Sequence, residues 1–164
     1  MIPDAPPVVH DCERLAERAA QRGVIINLLL PGVLVLLAFV VRRNGIGTDE
    51  SAAPEWQPLL FYVFLALGVA DLFAAFALRR TLLAPMRLRA VLADAPAAER
   101  LIMNAATVAF ALGASPMVYG IVLYLLGGDM QQVAVFAIVS LLAFRLLRPS
   151  AGFLEKALER AARG

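Results

Sequence analysis

One aspartate interrupts an otherwise uncharged run of apolar residues at 59–78, and it is the clearest chemical signal in the sequence. A carboxylate inside hydrocarbon is costly, so Asp71 needs a proton, a cation or a donor. It lies eight residues before Arg79, ~12 Å along a helix at the usual rise. Counting inward to comparable or shallower depth on the other apolar runs reaches Asn27, Asn104, Thr107, Ser140 and Arg145. These six residues form a candidate polar cluster in one half of a bundle. It has two possible chemistries. Asp71 could be a proton or cation half-site, or it could pair with Arg145 while interhelical hydrogen bonds fix the packing. A single acid without a second relay carboxylate favours the structural reading.

Outside that cluster the residue types exclude more than they offer. The sequence shows no Ser/His/Asp or Cys/His nucleophilic set, and one histidine, His10, and one cysteine, Cys12, cannot supply a bis-histidine haem or a multi-cysteine metal site. Cys12 reads as a small apolar-face residue. There is no Gly-rich phosphate loop, and the basic residues lack the interleaved aromatics of a nucleic-acid surface. The expectation is therefore no catalytic residue, no metal, no cofactor and no nucleic acid.

The elements that position these residues follow from composition. The chain has 164 residues, 61% apolar and only 17% charged, too little polar surface to cover a globule in water. Four runs are long and apolar enough for membrane-spanning helices: 24–41, 59–78, 101–126 and 130–147. They lack the alternation that barrel strands would need. The predicted fold is an all-α integral membrane protein, a single domain over 1–164, with four spans in an up-down bundle. Gly127-Gly128 suits a left-handed helix end, and Asp129 with Gln132 reads as a capping box, so spans three and four are joined by a very short turn. Residues 8–22 and 151–163 read as amphipathic helices on the inner side. They lie in the headgroup layer, where arginines meet anionic lipid, or extend the adjoining spans into solvent. Residues 79–100, with five arginines and Pro85 and Pro96, read as broken helix on the membrane surface.

Small residues mark where backbones approach. Ala66, Ala70 and Ala74 recur at steps of four on span two, and Ala105, Ala109, Gly113 and Gly120 follow one face of span three. Pro31 and Pro116 predict kinks, each freeing a carbonyl one turn earlier, at Asn27 and Leu112.

Within 92–126, Ala95-Pro96 followed by a helix carrying Tyr119-Gly120-Ile121-Val122 resembles the loop and second helix of subunit c, the rotor-ring proteolipid of rotary ATP synthases. The resemblance implies close helix packing and assembly with other copies. It carries over no proton site, because the position of the family's carboxylate is held here by Ala114.

Together these features point to a non-enzymatic four-span protein of the bacterial inner membrane, self-associating or an accessory subunit of a larger membrane complex. The alternative is a small proton- or cation-coupled transporter using Asp71. All fifteen basic residues except Arg42 and Arg43 fall on the side of the termini, which the positive-inside rule makes cytoplasmic. Reporter fusions at residue 50 and after Gly128 are therefore expected to report a periplasmic location. Fusions at residue 90 and at the C-terminus should report a cytoplasmic one, and a cytoplasmic signal at residue 50 would overturn the span assignment.

Overall fold

The computed structural model describes residues 12–44 and 55–163, and every regular element among them is helical. In chain order they are α1 (Cys12–Val24), a π-helical turn (Ile25–Leu29), α2 (Leu30–Arg43), α3 (Gln57–Leu82), α4 (Pro85–Val91), α5 (Ala95–Leu125), α6 (Met130–Leu147) and α7 (Ala151–Arg163). Four helical stretches are long and apolar enough to cross a membrane: Cys12–Val41, Gln57–Leu82, Ala95–Leu125 and Met130–Leu147. His10 and the first residues of the expected helix 8–22 lie outside the described residues.

Local chemistry explains the breaks. The π turn ends two residues before Pro31, whose ring removes an N–H and crowds the preceding turn, so the helix widens there instead of ending. Pro58, Pro85 and Pro96 each sit in the first turn of their helices, where a missing N–H costs nothing. Past the end of α5, Gly127 takes a φ of 98°, the left-handed conformation. The Gly128 N–H then reaches back to the Leu123 carbonyl at 2.9 Å, a Schellman closure. Gln132 Oε1 accepts the Asp129 N–H at 3.2 Å and opens α6.

α5 is the post of the bundle. The other long helices all pack on it, and their contacts fix the relative directions. Pairings of Gly68 with Pro116 and of Phe64 with Tyr119 run α3 antiparallel to α5. Pairings of Gly120 with Phe136 and of Gly113 with Ala143 do the same for α6. Gly23 meets Phe110 and Asn27 approaches Gly113, so α1 and the π turn run parallel to α5. The core between them is built from Phe110, Phe136, Ala109, Ala143 and Leu147.

The amphipathic helices do something the sequence reading did not anticipate. Their apolar faces are turned neither to a lipid surface nor to solvent but to one another. Leu15 of α1, Leu88 of α4, Ile102 of α5 and Leu154 and Leu158 of α7 form one buried cluster. Burying side chains of this size contributes roughly 1.5–3 kcal/mol each, so these five hold the layer together. Two arginines of the basic segment 79–100 close helix ends instead of standing free. Arg79 donates to the Leu147 carbonyl at 3.0 Å and stacks on Phe153, and Arg89 donates to the Ala161 carbonyl at 3.1 Å.

The closeness of α6 to α5 makes a direct test. A Cβ at Gly120 would lie 2.8 Å from the Phe136 Cβ, whereas one at Gly32 would meet nothing within 4 Å. Gly120→Leu is expected to destabilise the fold by about 1–3 kcal/mol through overpacking. Gly32→Ala should leave it unchanged or raise stability by up to about 1 kcal/mol through helix propensity. Thermal or denaturant unfolding followed by circular dichroism reads both.

Candidate functional site

Asp71 sits on the α3 face that meets α5, half-buried, with Gly68 one turn before it and Ala75 one turn after. Gly68 is where the Pro116 ring fits, since a Cβ there would lie 3.2 Å from the ring carbons. That close approach brings Asp71 level with the residues around the proline. Its Oδ2 is in contact with two hydroxyls, Ser115 Oγ at 2.5 Å and Tyr119 Oη at 2.8 Å. The Tyr119 ring is in turn stacked on Phe64, with centroids 5.4 Å apart, which fixes its direction.

Ser115 also reaches the Leu112 carbonyl at 2.8 Å. That carbonyl is the one Pro116 deprives of its helical donor, so the serine beside the proline repairs the break the proline makes. The proton count is then decisive, because one hydroxyl proton cannot serve two acceptors. With Asp71 ionised, Ser115 donates either to the carboxylate or to Leu112, and the other acceptor goes without. With Asp71 protonated, the acid donates to Ser115 Oγ, Ser115 donates to Leu112, and Tyr119 donates to Asp71. Every contact is then served. The Ser115 hydroxyl is thus the point at which the Asp71 carboxyl and the Leu112 carbonyl compete for one proton.

The six-residue cluster expected from depth counting is not assembled. Arg145 is exposed on α6 and forms no pair with Asp71. Among the described residues the ion pairs are Arg18–Glu99 at 2.6 Å and Arg163–Glu159 at 3.1 Å, both at the surface. Asn104 is exposed, and Thr107 donates to the Met103 carbonyl of its own helix at 2.9 Å. Ser140 and Asn27 do meet around one point. Ser140 donates to the Gly113 carbonyl at 3.0 Å, and Asn27, with its Nδ2 on the Gly23 carbonyl at 3.3 Å, lies across the same glycine. The Asn27 Oδ1 is buried there without a donor.

The two rows of small residues divide. Ala105, Ala109, Gly113 and Gly120 are buried within the bundle, whereas Ala66, Ala70 and Ala74 are exposed on α3. No metal-ligating group of His, Cys, Asp and Glu occurs among the described residues. The chain matches no protein-family model, no curated protein and no solved structure.

Sequence counting missed Ser115 and Tyr119. The available signal was their spacing of four residues on one helix face, with the serine next to a proline that needs its carbonyl repaired. Double-mutant cycles on unfolding free energy test the assignment. Asp71→Asn and Tyr119→Phe are expected to couple, by about 0.5–3 kcal/mol for groups in one network. Asp71→Asn and Arg145→Leu should instead add to within about 0.5 kcal/mol.

Proposed function

We propose that the chain is a non-enzymatic, four-span protein of the bacterial inner membrane that assembles with further copies of itself through the outward face of α3. Membrane insertion is supported by the large apolar side chains left on the surface, among them Leu36, Leu59 and Phe73 at 63%, 66% and 71% exposure. Surface of that extent would drive aggregation in water and suits a bilayer. The antiparallel and parallel contact registers support an up-down arrangement with both termini on one side. The charge bias supports placing that side in the cytoplasm.

The observation that carries self-association is the placement of Ala66, Ala70 and Ala74. α3 packs on α5 with Gly68, Asp71 and Ala75, which leaves the alanine row facing away from the rest of the chain. In lipid such a row lets a second backbone come close and gain van der Waals contact that bulky side chains would prevent. The adjoining edge of Asp71 gives the same surface a second use. Its Oδ2 takes both hydroxyl contacts, so Oδ1 remains for a donor from another helix.

A second reading is favoured by the hydroxyl network, which can load and unload a proton at Asp71 and so fits a small proton-coupled transporter. One set of measurements separates the two. The wild-type chain in mild detergent and in nanodiscs is expected to contain more than one copy by light scattering. Ala70→Leu with Ala74→Leu should reduce it to a single copy without lowering the melting temperature, while Val69→Leu, also exposed, should leave assembly intact. A wild type that is monomeric in both settings overturns self-association, and a larger mass made up by a different chain identifies an accessory subunit. A pH-gradient-driven flux in proteoliposomes that Asp71→Asn abolishes would establish the transporter reading.

A further inference from the structure

At the end of the bundle away from the α1–α4–α7 layer, the first turns of α3 and α6 enclose an open cleft of about 490 Å³. Its walls carry three primary amides, Gln57, Gln131 and Gln132, with Asp129 and the rings of Phe61 and Tyr62. We propose that this cleft binds an uncharged glycosyl group. Gln57 carries the argument. It is only 6% exposed and lines the cleft, yet the buried side-chain polar atom left without a partner among the described residues is Asn27 Oδ1, so the Gln57 amide is open to the cleft. An amide seated in the wall and open to the cleft presents both a donor and an acceptor, and a sugar hydroxyl can meet both with one atom.

The rest of the wall narrows the ligand class by charge. Among the described residues no lysine, arginine or histidine lines the cleft, which disfavours an anion. The one carboxylate, Asp129, stands at the N-cap of α6, where the positive end of the helix offsets its charge, which disfavours a cation. Gln132 gives its Oε1 to the Asp129 N–H and keeps its amide donors. Gln131 is exposed, so both of its polar atoms are free to approach a ligand. Phe61 and Tyr62 meet edge to face at 74°, with Tyr62 mostly exposed, and present an aromatic wall for the C–H face of a pyranose. The volume lies within the usual range for small-molecule pockets. A free sugar and the headgroup of a glycolipid share this chemistry, and the position beside the first turns of two spans makes both reachable.

Trp56, the one tryptophan in the sequence, directly precedes Gln57 and reports on the cleft by its emission. The full chain in phosphatidylcholine nanodiscs would be titrated with maltose, and in a second series reconstituted with increasing monoglucosyl diacylglycerol. Choline and inorganic phosphate serve as charged comparisons. A saturable change in Trp56 emission is expected with at least one of the sugar probes. It should weaken about tenfold in Gln131→Ala, the equivalent of about one lost hydrogen bond, and vanish in Gln57→Leu. A response to maltose identifies a free sugar, and a response to the glycolipid alone identifies a lipid headgroup. If Gln57→Leu fails to fold, the exposed Gln131→Ala decides alone. No saturable response, an equal response to choline or phosphate, or affinity unchanged in Gln131→Ala would overturn the proposal.

Discussion

Close approach of neighbouring backbones to α5 is the constraint on which everything else rests. At Gly113 and Gly120 on α5 itself, at Gly68 on α3 and at Gly23 on α1, an added Cβ would fall 2.7–3.2 Å from a partner's atoms. Each glycine gives up side-chain contact and helix propensity, about 1 kcal/mol apiece relative to alanine. What is gained is contact between bulky partners and bare backbone, including the Phe136 side chain on Gly120 and the Phe110 and Phe144 rings on Gly23. Where no hydrophobic force acts between helices in lipid, such contact is the main cohesive term. The glycines are therefore the points at which the proposed membrane setting and the observed packing make the same demand.

The polar site is a product of that packing. Pro116 fits against Gly68, which fixes the register of α3 on α5, and the same proline strips Leu112 of its helical donor. Ser115 supplies a replacement, and the register then puts Asp71 in reach of the serine and of Tyr119 one turn further on. A larger residue at 68 would lift α3 away and separate the acid from both hydroxyls. Packing and the polar network are thus coupled at one helix contact, and a substitution in either is felt in the other.

Hydropathy made the four apolar runs legible, and turn chemistry at Gly127, Gly128 and Asp129 made the α5–α6 reversal legible, because both signals are local. Rotation about each helix axis is not local, and it decides which residues meet. Arg145 lies only about a turn shallower than Asp71, but α6 turns Ser140 and Ala143 inward and leaves Arg145 outside. The row Ala66, Ala70, Ala74 and the row Gly68, Ala75 are both composed of small residues, and nothing in their spacing says which of them α5 covers. The amphipathic helices pose the same difficulty. A Leu/Ala face at helical period shows that something apolar lies opposite, and lipid, solvent-side neighbours and a partner helix all satisfy the pattern equally.

The mutual packing of those amphipathic helices has a geometric cause in the lengths of the spans. α5 has 31 residues, ~46 Å at the helical rise, and the stretch Cys12–Val41 is nearly as long, against a hydrocarbon core of roughly 30 Å. In the proposed bilayer both helices must overrun on the side that carries α1 and the first turns of α5. Their protruding faces, with Leu15, Ala98 and Ile102, would then meet water unless covered. α4 and α7 cover them. The arginines at this end anchor that cover, since Arg79 closes α6 and Arg89 closes α7 through carbonyls otherwise lacking donors. Part of the basic charge that the positive-inside rule counts as an orientation signal is thus also the clamp that holds this helical layer to the long helices.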